Sequence, residues 1–190
     1  MYQTFIFDFF GVVCSEIAPF WLGRHFSNQR AIEIKKTLVH SADLGKISEA
    51  EMFSQLGEWA GISADQVRSE WNDEVRVKAD VVEFLKQLKS TYPLGLLTNS
   101  PSPFVRGILD SYNLNELFNS IVVSSEIGIA KPDVRTYTRI LKDLDTVAAQ
   151  ALFVDDNPLN VEGAAKIGLK GIVYKSLREL RDTITTAQVI

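Results

Sequence analysis

Asp8 follows the apolar run FIF, Thr98 and Asn99 follow LGLL, the acidic pair Asp155 and Asp156 follows ALFV, and Lys131 stands just before the segment PDVRTYTRILKDL. Three carboxylates that meet near one ammonium and one hydroxyl carry charges that need balancing, because neighbouring carboxylates repel and raise each other's pKa. A hard divalent cation answers that need, and magnesium characteristically takes one or two carboxylates together with substrate phosphate. In such a site Asp8 can bind the metal and also attack phosphorus, forming an aspartyl phosphate. Thr98 and Lys131 then hold the phosphoryl oxygens and offset their charge. Strand ends often carry Asp or Asn for turn chemistry alone, and it is the set that points to a site.

These groups can meet only if the runs that precede them are neighbouring strands. FIF, LGLL, SIVV near residue 122, ALFV and GIVY near residue 173 alternate with helical patterns, the rhythm of a parallel sheet with crossover helices. In DVVEFLKQLKS the expected N-cap is Asp80, with Val81, Phe84, Leu85 and Leu88 on one face. PDVRTYTRILKDL has Pro132 in its first helical turn and a face of Val134, Tyr137, Ile140, Leu141 and Leu144. NPLNVEGAAKIG starts at Pro158 and stops near Gly168. In open sheets of this kind, ligands bind beyond the carboxyl ends of the strands, where loops and helix N-termini converge.

Residues 16–79 show helical periodicity without a clear strand, far longer than a usual strand-to-helix connection. They read as an inserted helical unit, with capping boxes at Ser48/Glu51 and Ser63/Gln66 and an apolar face of Met52, Phe53, Leu56 and Trp59. The expected division is an α/β core of residues 1–15 and 80–190 with a helical cap of 16–79.

The order of Asp8 in an apolar-D-x-x-G-V frame, Thr98 in LLTNS, Lys131 in GIAKPDVRTY and the acidic pair in FVDDNPLNVEGA resembles the haloacid dehalogenase superfamily. The resemblance covers nearly the whole chain, and the insertion looks like that family's small helical cap. It implies a doubly wound, Rossmann-like parallel sheet. It also implies Asp8 as nucleophile, Thr98 and Lys131 as phosphate ligands, and Mg²⁺ held by Asp8, Asp156, the backbone carbonyl of Phe10 and, nearby or through water, Asp155.

Residue 10 departs from the pattern. Phosphatases of the family carry there a second aspartate, which protonates the leaving alcohol and then activates water. Phe10 does neither, and general acid–base catalysis is typically worth roughly 10² to 10⁴ in rate. Turnover is then slow, or restricted to leaving groups that need no proton, unless another group such as Glu16 substitutes. Three readings stand side by side: a magnesium-dependent phosphatase acting on a small phosphorylated molecule, a phosphate- and metal-binding or regulatory protein, and a metal-independent 2-haloacid dehalogenase. Phe10 and Tyr137 suit the last, whereas the acidic pair does not, because dehalogenases place neutral residues there.

The remaining composition excludes more than it indicates. A chain of 190 residues with 46% hydrophobic content suits one core with a small insertion. A formal net charge of -4 without a Lys/Arg cluster argues against a nucleic-acid surface. Cys14 is the single cysteine, so no internal disulfide forms. MYQTFIF shows neither a basic leader nor a long apolar run, giving the expectation of a cytoplasmic protein without a membrane anchor; no pattern sets the oligomeric state. His25, His40, Arg24, Lys35 and Lys36 read as surface or packing residues of the insertion. Phe20 and Trp21 read as a seal between cap and core, Asn160 as a neighbour of the metal ligands, and Asn99 as a partner for the nucleophile region or for substrate.

Overall fold

The computed structural model describes residues 2–189 and contains five parallel strands, β1 (Thr4–Phe7), β2 (Leu94–Thr98), β3 (Ser120–Val123), β4 (Ala151–Asp155) and β5 (Lys170–Val173). Their order across the sheet is β3-β2-β1-β4-β5. β1 pairs on one side with β2 (Phe5 opposite Leu94) and on the other with β4 (Phe5 opposite Leu152). The chain therefore builds outward from β1 through β2 and β3 before returning to β4, which puts the reversal of strand order between β1 and β4.

β1, β2 and β4 are buried along their whole length, as strands covered on both faces must be, and they lack polar alternation for the same reason. Phe5, Phe7, Leu94, Leu96, Leu152 and Val154 pack on one face against α6 (Ala79–Lys89), α7 (Ser102–Ser111) and α11 (Leu177–Val189). Ile6, Leu97 and Phe153 point to the other face, toward α9 (Val134–Asp143) and α10 (Pro158–Ala165).

Between β1 and α6 run α1 (Ala18–His25), α2 (Asn28–Ile34), a π-helical turn over Lys35–Val39, α3 (His40–Asp43), α4 (Glu49–Ala60) and α5 (Ala64–Asn72). They enclose a separate apolar cluster around Trp21, Leu22, Ile34, Met52, Phe53, Leu56 and Trp71, which Phe10, Val75 and Phe104 bridge to the core under the sheet. The two chain crossings into and out of this unit lie side by side. Ser15 N donates to Arg76 O at 2.9 Å, Lys78 N donates to Val13 O at 2.9 Å, and Ser15 Oγ accepts from Arg76 N and donates to Glu74 O.

Several local expectations change. The Ser48/Glu51 capping box is complete, whereas at Ser63 only half of one forms, because the Gln66 amide turns to Glu70. Pairing of Lys78 with Val13 starts α6 two residues early, so Asp80 sits inside the first turn and Lys78 at the cap. Asp133, whose side chain accepts from Arg135 N, caps α9, and Pro132 precedes the helix. Trp59 leaves the apolar face of α4 for the surface, with the Arg30 guanidinium over its ring. Trp21 packs inside the helical unit and Phe20 is exposed, so neither seals a joint with the core.

Candidate active site

The carboxyl ends of β1 and β4 place Asp8 and Asp155 next to each other at the strand-order reversal, and Lys131 reaches between them. Its Nζ lies 2.8 Å from Asp8 Oδ1 and 2.7 Å from Asp155 Oδ2. The lysine is held from behind by Asn99, whose side-chain amide donates to Lys131 O at 3.0 Å and accepts from Lys131 N at 2.9 Å. Asn99, the residue directly after β2, thus clasps the Lys131 backbone and ties it to the end of that strand.

Asp155 is saturated. Its Oδ1 accepts from Asn157 N and Asn160 Nδ2, and its Oδ2 from Lys131 Nζ and Asn160 Nδ2, which uses the lone pairs of a carboxylate. Asn160 is itself fixed from its carbonyl, which accepts from the buried Tyr137 hydroxyl at 2.7 Å. Asp156 is half-buried beside Gly11, whose φ of +84° is open to glycine alone at low cost; a Cβ there would stand 2.2 Å from Asp156 Oδ2. Lys78 Nζ donates to Gly11 O at 2.6 Å and braces the same turn. Thr98 is 0% exposed, and its Oγ1 has no hydrogen-bond partner among the described residues.

One ammonium faces three carboxylates whose ligand atoms all lie within 4.8 Å of one another. Burial drives the Asp8 carboxyl well above its ordinary pKa, Asp155 adds to the rise, and Lys131 opposes it without compensating. Burial also pushes Asp155 up, but the Lys131 charge and hydrogen bond outweigh it and hold Asp155 low. The Lys131 ammonium, which burial disfavours, is kept above its usual value by Asp155 and Asp8. Asp156 is raised to about 6 by burial, Glu16 and Asp155. This donor set of hard oxygens, short by positive charge and tightly grouped, fits a hard divalent cation, and the orphaned Thr98 hydroxyl beside it fits an anionic oxygen.

Above these groups lies a cavity of about 210 Å³. Asp8, Lys131, Asp156, Asn99 and Asn160 form its polar floor, and Phe10, Ile17, Val39, Met52, Trp71 and Phe104 form apolar walls. Thr98 and Asp155 lie behind the floor. Phe10 stacks on Phe104, with ring centroids 6.0 Å apart and planes 14° from parallel. Glu16, Lys35 and Asp43 also reach the cavity, the first two with charged atoms 3.9 Å apart. Glu16, the candidate substitute for the missing acid, lines the cavity; Lys35, expected on the surface of the insertion, lines it as well, while Asp43, Met52, Trp71, Phe104 and the bracing Lys78 carry no local sequence signal for the site. His25 is engaged with Glu70 and stacked on Trp21, and His40 is exposed.

Residues 25–174 match the family model for haloacid dehalogenase-like hydrolases. The chain belongs to that family. Among these hydrolases it is 30% identical over 132 residues to sesquiterpene phosphatase astK of Aspergillus oryzae, covering 67% of each chain. It is 24% identical over 204 aligned positions to the D-ribitol-5-phosphate phosphatase of Bacteroides thetaiotaomicron, covering 97% of this chain and 98% of that protein. A haloacid dehalogenase family enzyme from the same bacterium, solved with magnesium and inorganic phosphate, superposes with a TM-score of 0.77 at 19% identity, over 95% of this chain and 99% of the other. This haloacid dehalogenase-like hydrolase has, among its described residues, no helix long and apolar enough to cross a membrane.

Proposed function

We propose that the chain is a magnesium-dependent phosphatase that works through an aspartyl phosphate on a small phosphorylated molecule whose organic part is apolar. The observation that carries this reading is the Lys131 ammonium bridging Asp8 and Asp155 with Asp156 alongside. Such a cluster suits phosphoryl chemistry and is ill-suited to halide displacement, which needs a nucleophilic carboxylate but neither the acidic pair nor a metal.

In this reading Asp8, Asp156 and the backbone carbonyl of Phe10 hold Mg²⁺, with Asp155 orienting the set from its saturated position. A bound magnesium ion supplies the charge balance for the carboxylates and for a phosphoryl group. Asp8 is the nucleophile toward phosphorus. Lys131 neutralises phosphoryl oxygens and keeps Asp8 aimed, Asn99 positions Lys131, and the Thr98 hydroxyl donates to one oxygen. The helical unit of residues 16–79 acts as the cap over a core of 1–15 and 80–190 and closes the cavity around the leaving group. Phe10 deprives the site of proton transfer from that position, so esters of poor leaving groups depend on another donor.

The family's named phosphatases and the magnesium- and phosphate-bound neighbour support this assignment. The walls of Ile17, Met52, Trp71 and Phe104 favour an apolar alcohol over a polyol. The test combines phosphate release from acetyl phosphate, p-nitrophenyl phosphate and hexyl phosphate with intact-mass measurement, with Asp8→Asn as control and 2-chloropropionate alongside. Mg²⁺-dependent release and an adduct that require Asp8 are expected. Metal-independent chloride release would replace this reading with a dehalogenase, and silence on every substrate would replace it with a binding protein.

A further inference from the structure

The phosphatase reading leaves two proton transfers without an owner. Protonation of the leaving alkoxide and deprotonation of the attacking water both fall in the part of the cavity that Phe10 has made apolar. Any group that replaces residue 10 must reach the cavity from elsewhere, carry a carboxyl or imidazole, and be fixed relative to Asp8. Neither histidine lines the cavity. The two carboxyl groups that line it outside the metal-binding set are Glu16 and Asp43.

Asp43 is placed with more precision than its position on a short helix suggests. The helical run from Asn28 to Asp43 passes through the π turn and turns Lys35, Val39 and Asp43, spaced four residues apart, toward the cavity; π turns inside helices recur at functional sites. The end of the run is then fastened to the core. Ser124 Oγ donates to Asp43 O at 2.5 Å and accepts from Ser100 N at 3.0 Å. Ser100 follows Asn99, which clasps Lys131. Two residues beyond Asp43, Gly45 adopts φ of +67°, and Ser125 O lies 2.6 Å from where a Cβ would stand, so this approach of the two segments requires glycine. Hydrogen bonds at the Asp43 backbone carbonyl, continued through the Asn99–Ser100 peptide, thus link this segment to the lysine that touches the nucleophile, and no hydrogen bond or ion pair occupies the Asp43 carboxyl among the described residues.

We infer, on the basis of the phosphatase reading, that Asp43 is the acid–base group of this site and substitutes from the helical unit for the missing residue 10 carboxyl. In the first half-reaction the Asp8 carboxylate attacks phosphorus, the ester P–O bond breaks, and Asp43 gives its proton to the departing oxygen, releasing the neutral alcohol. In the second, the Asp43 carboxylate takes a proton from water as that water attacks the phosphoryl group. The bond to Asp8 breaks, phosphate leaves, and both carboxyl groups return to their starting states.

The electrostatic setting suits both duties. Burial lifts Asp43 to about 7, Lys35 lowers it, Glu16 raises it and Lys131 lowers it, so at neutral pH both forms are populated, as a group that must donate and then accept requires. The charged groups facing it are Lys35 on its own run, Glu16 from the crossing after β1, and Lys131 with Asp8 and Asp156 from the floor. From the packed segment Ser124–Ile127, Glu126 is held by Arg106 and Ser102 and is spent there. Glu16 is the weaker candidate because its carboxylate is paired with Lys35 at 3.9 Å, whereas no ion pair holds Asp43 among the described residues.

The experiment compares wild type, Asp43→Asn and Glu16→Gln with hexyl phosphate and acetyl phosphate at saturating Mg²⁺, following alcohol release, phosphate release and intact mass. Asp43→Asn is expected to lose roughly 10² to 10⁴ in hexyl phosphate turnover. It should still form the adduct from acetyl phosphate, whose leaving group needs no proton, and should retain that adduct longer than wild type. Glu16→Gln removes a charge that raises Asp43 and is expected to lose far less hexyl phosphate turnover than Asp43→Asn. As an independent check on the unmodified chain, hexyl phosphate turnover falls as pH rises above about 7, whereas adduct formation from acetyl phosphate does not. Undiminished hexyl phosphate turnover in Asp43→Asn, the loss appearing in Glu16→Gln instead, or identical pH profiles for the two substrates would overturn the assignment. If wild type itself gives no Asp8-dependent adduct, the phosphatase reading fails first and the assignment falls with it.

Discussion

Replacing Thr98 by valine separates folding from ligand binding, because the two should move in opposite directions. Thr98 ends β2 at 0% exposure with an unpartnered hydroxyl. An unsatisfied buried polar group costs about 1–3 kcal/mol, valine has nearly the same shape, and β-branched residues suit a strand. The ligand-free protein should therefore gain about 1–3 kcal/mol. At roughly 2–4 °C per kcal/mol for a domain of this size, its Tm rises by about 2–12 °C. Phosphate binding loses a hydrogen bond to a charged acceptor, about 1.5–3 kcal/mol, or roughly 10- to 150-fold in Kd. Thermal melting with and without inorganic phosphate, in Mg²⁺, reads both effects in one series. A variant that melts lower than wild type without phosphate would refute the orphan-hydroxyl argument. A variant whose phosphate-induced stabilisation equals that of wild type would refute the role of Thr98 as a phosphate ligand.

Gly11→Ala introduces a side chain at φ of +84° and within 2.2 Å of Asp156 Oδ2. Positive φ alone costs about 1–2 kcal/mol, so the Tm drops by a few degrees while the stabilisation given by Mg²⁺ largely disappears, both readable in a melting series with metal titrated. Lys131→Met leaves Asp8 and Asp155 without their shared cation. Removing one partner of a buried ion pair costs about 3–5 kcal/mol, measurable by urea unfolding, and activity is lost with it. Asp133, the cap of α9, is held at about 2 instead of 3.8 by hydrogen bonds from the Arg135 side chain and backbone. Its folded pKa is depressed, so its contribution is complete above pH 3.8 and fades as pH falls through about 2; Asp133→Asn should flatten the stability profile in that window and leave the profile above it unchanged in slope. In an Asp43→Asn background, Phe10→Asp should return hexyl phosphate turnover by at least about tenfold, and no gain would count against residue 10 as a position from which an acid can serve this site.

The sheet and its polar ends were legible because they rest on local facts. Strands buried on both faces are short apolar runs, and the polar residue that follows each one must emerge at the carboxyl edge, which groups Asp8, Asn99 and Asp156 from the sequence alone; Lys131 joins them from the loop before α9. What escaped detection depends on docking between distant segments. Asp43 reaches the cavity through a hydrogen bond to Ser124, and Lys78 displaces the helix start at Asp80 because its amide is drawn to Val13; no window of sequence contains both partners. Neighbours Phe20 and Trp21 look alike as a pair, yet helical phase sends one outward and the other inward. Thr98 lies just behind the cavity floor, a depth that strand pattern alone does not specify.

The paired crossings at Val13–Ser15 and Arg76–Lys78 bear on how such a site diversifies. The ends of the helical unit are hydrogen-bonded to each other at the core surface, so the closure entropy of whatever lies between them is met by that clasp and rises only slowly with the length of the excursion. A unit so anchored is exchangeable: its walls and its Asp43 can be replaced as a block while Asp8, Lys131 and the acidic pair stay where the strands put them. On the proposed reading, the acid–base group and much of the cavity wall are therefore carried together on one segment, separately from the phosphoryl-transfer residues beneath it.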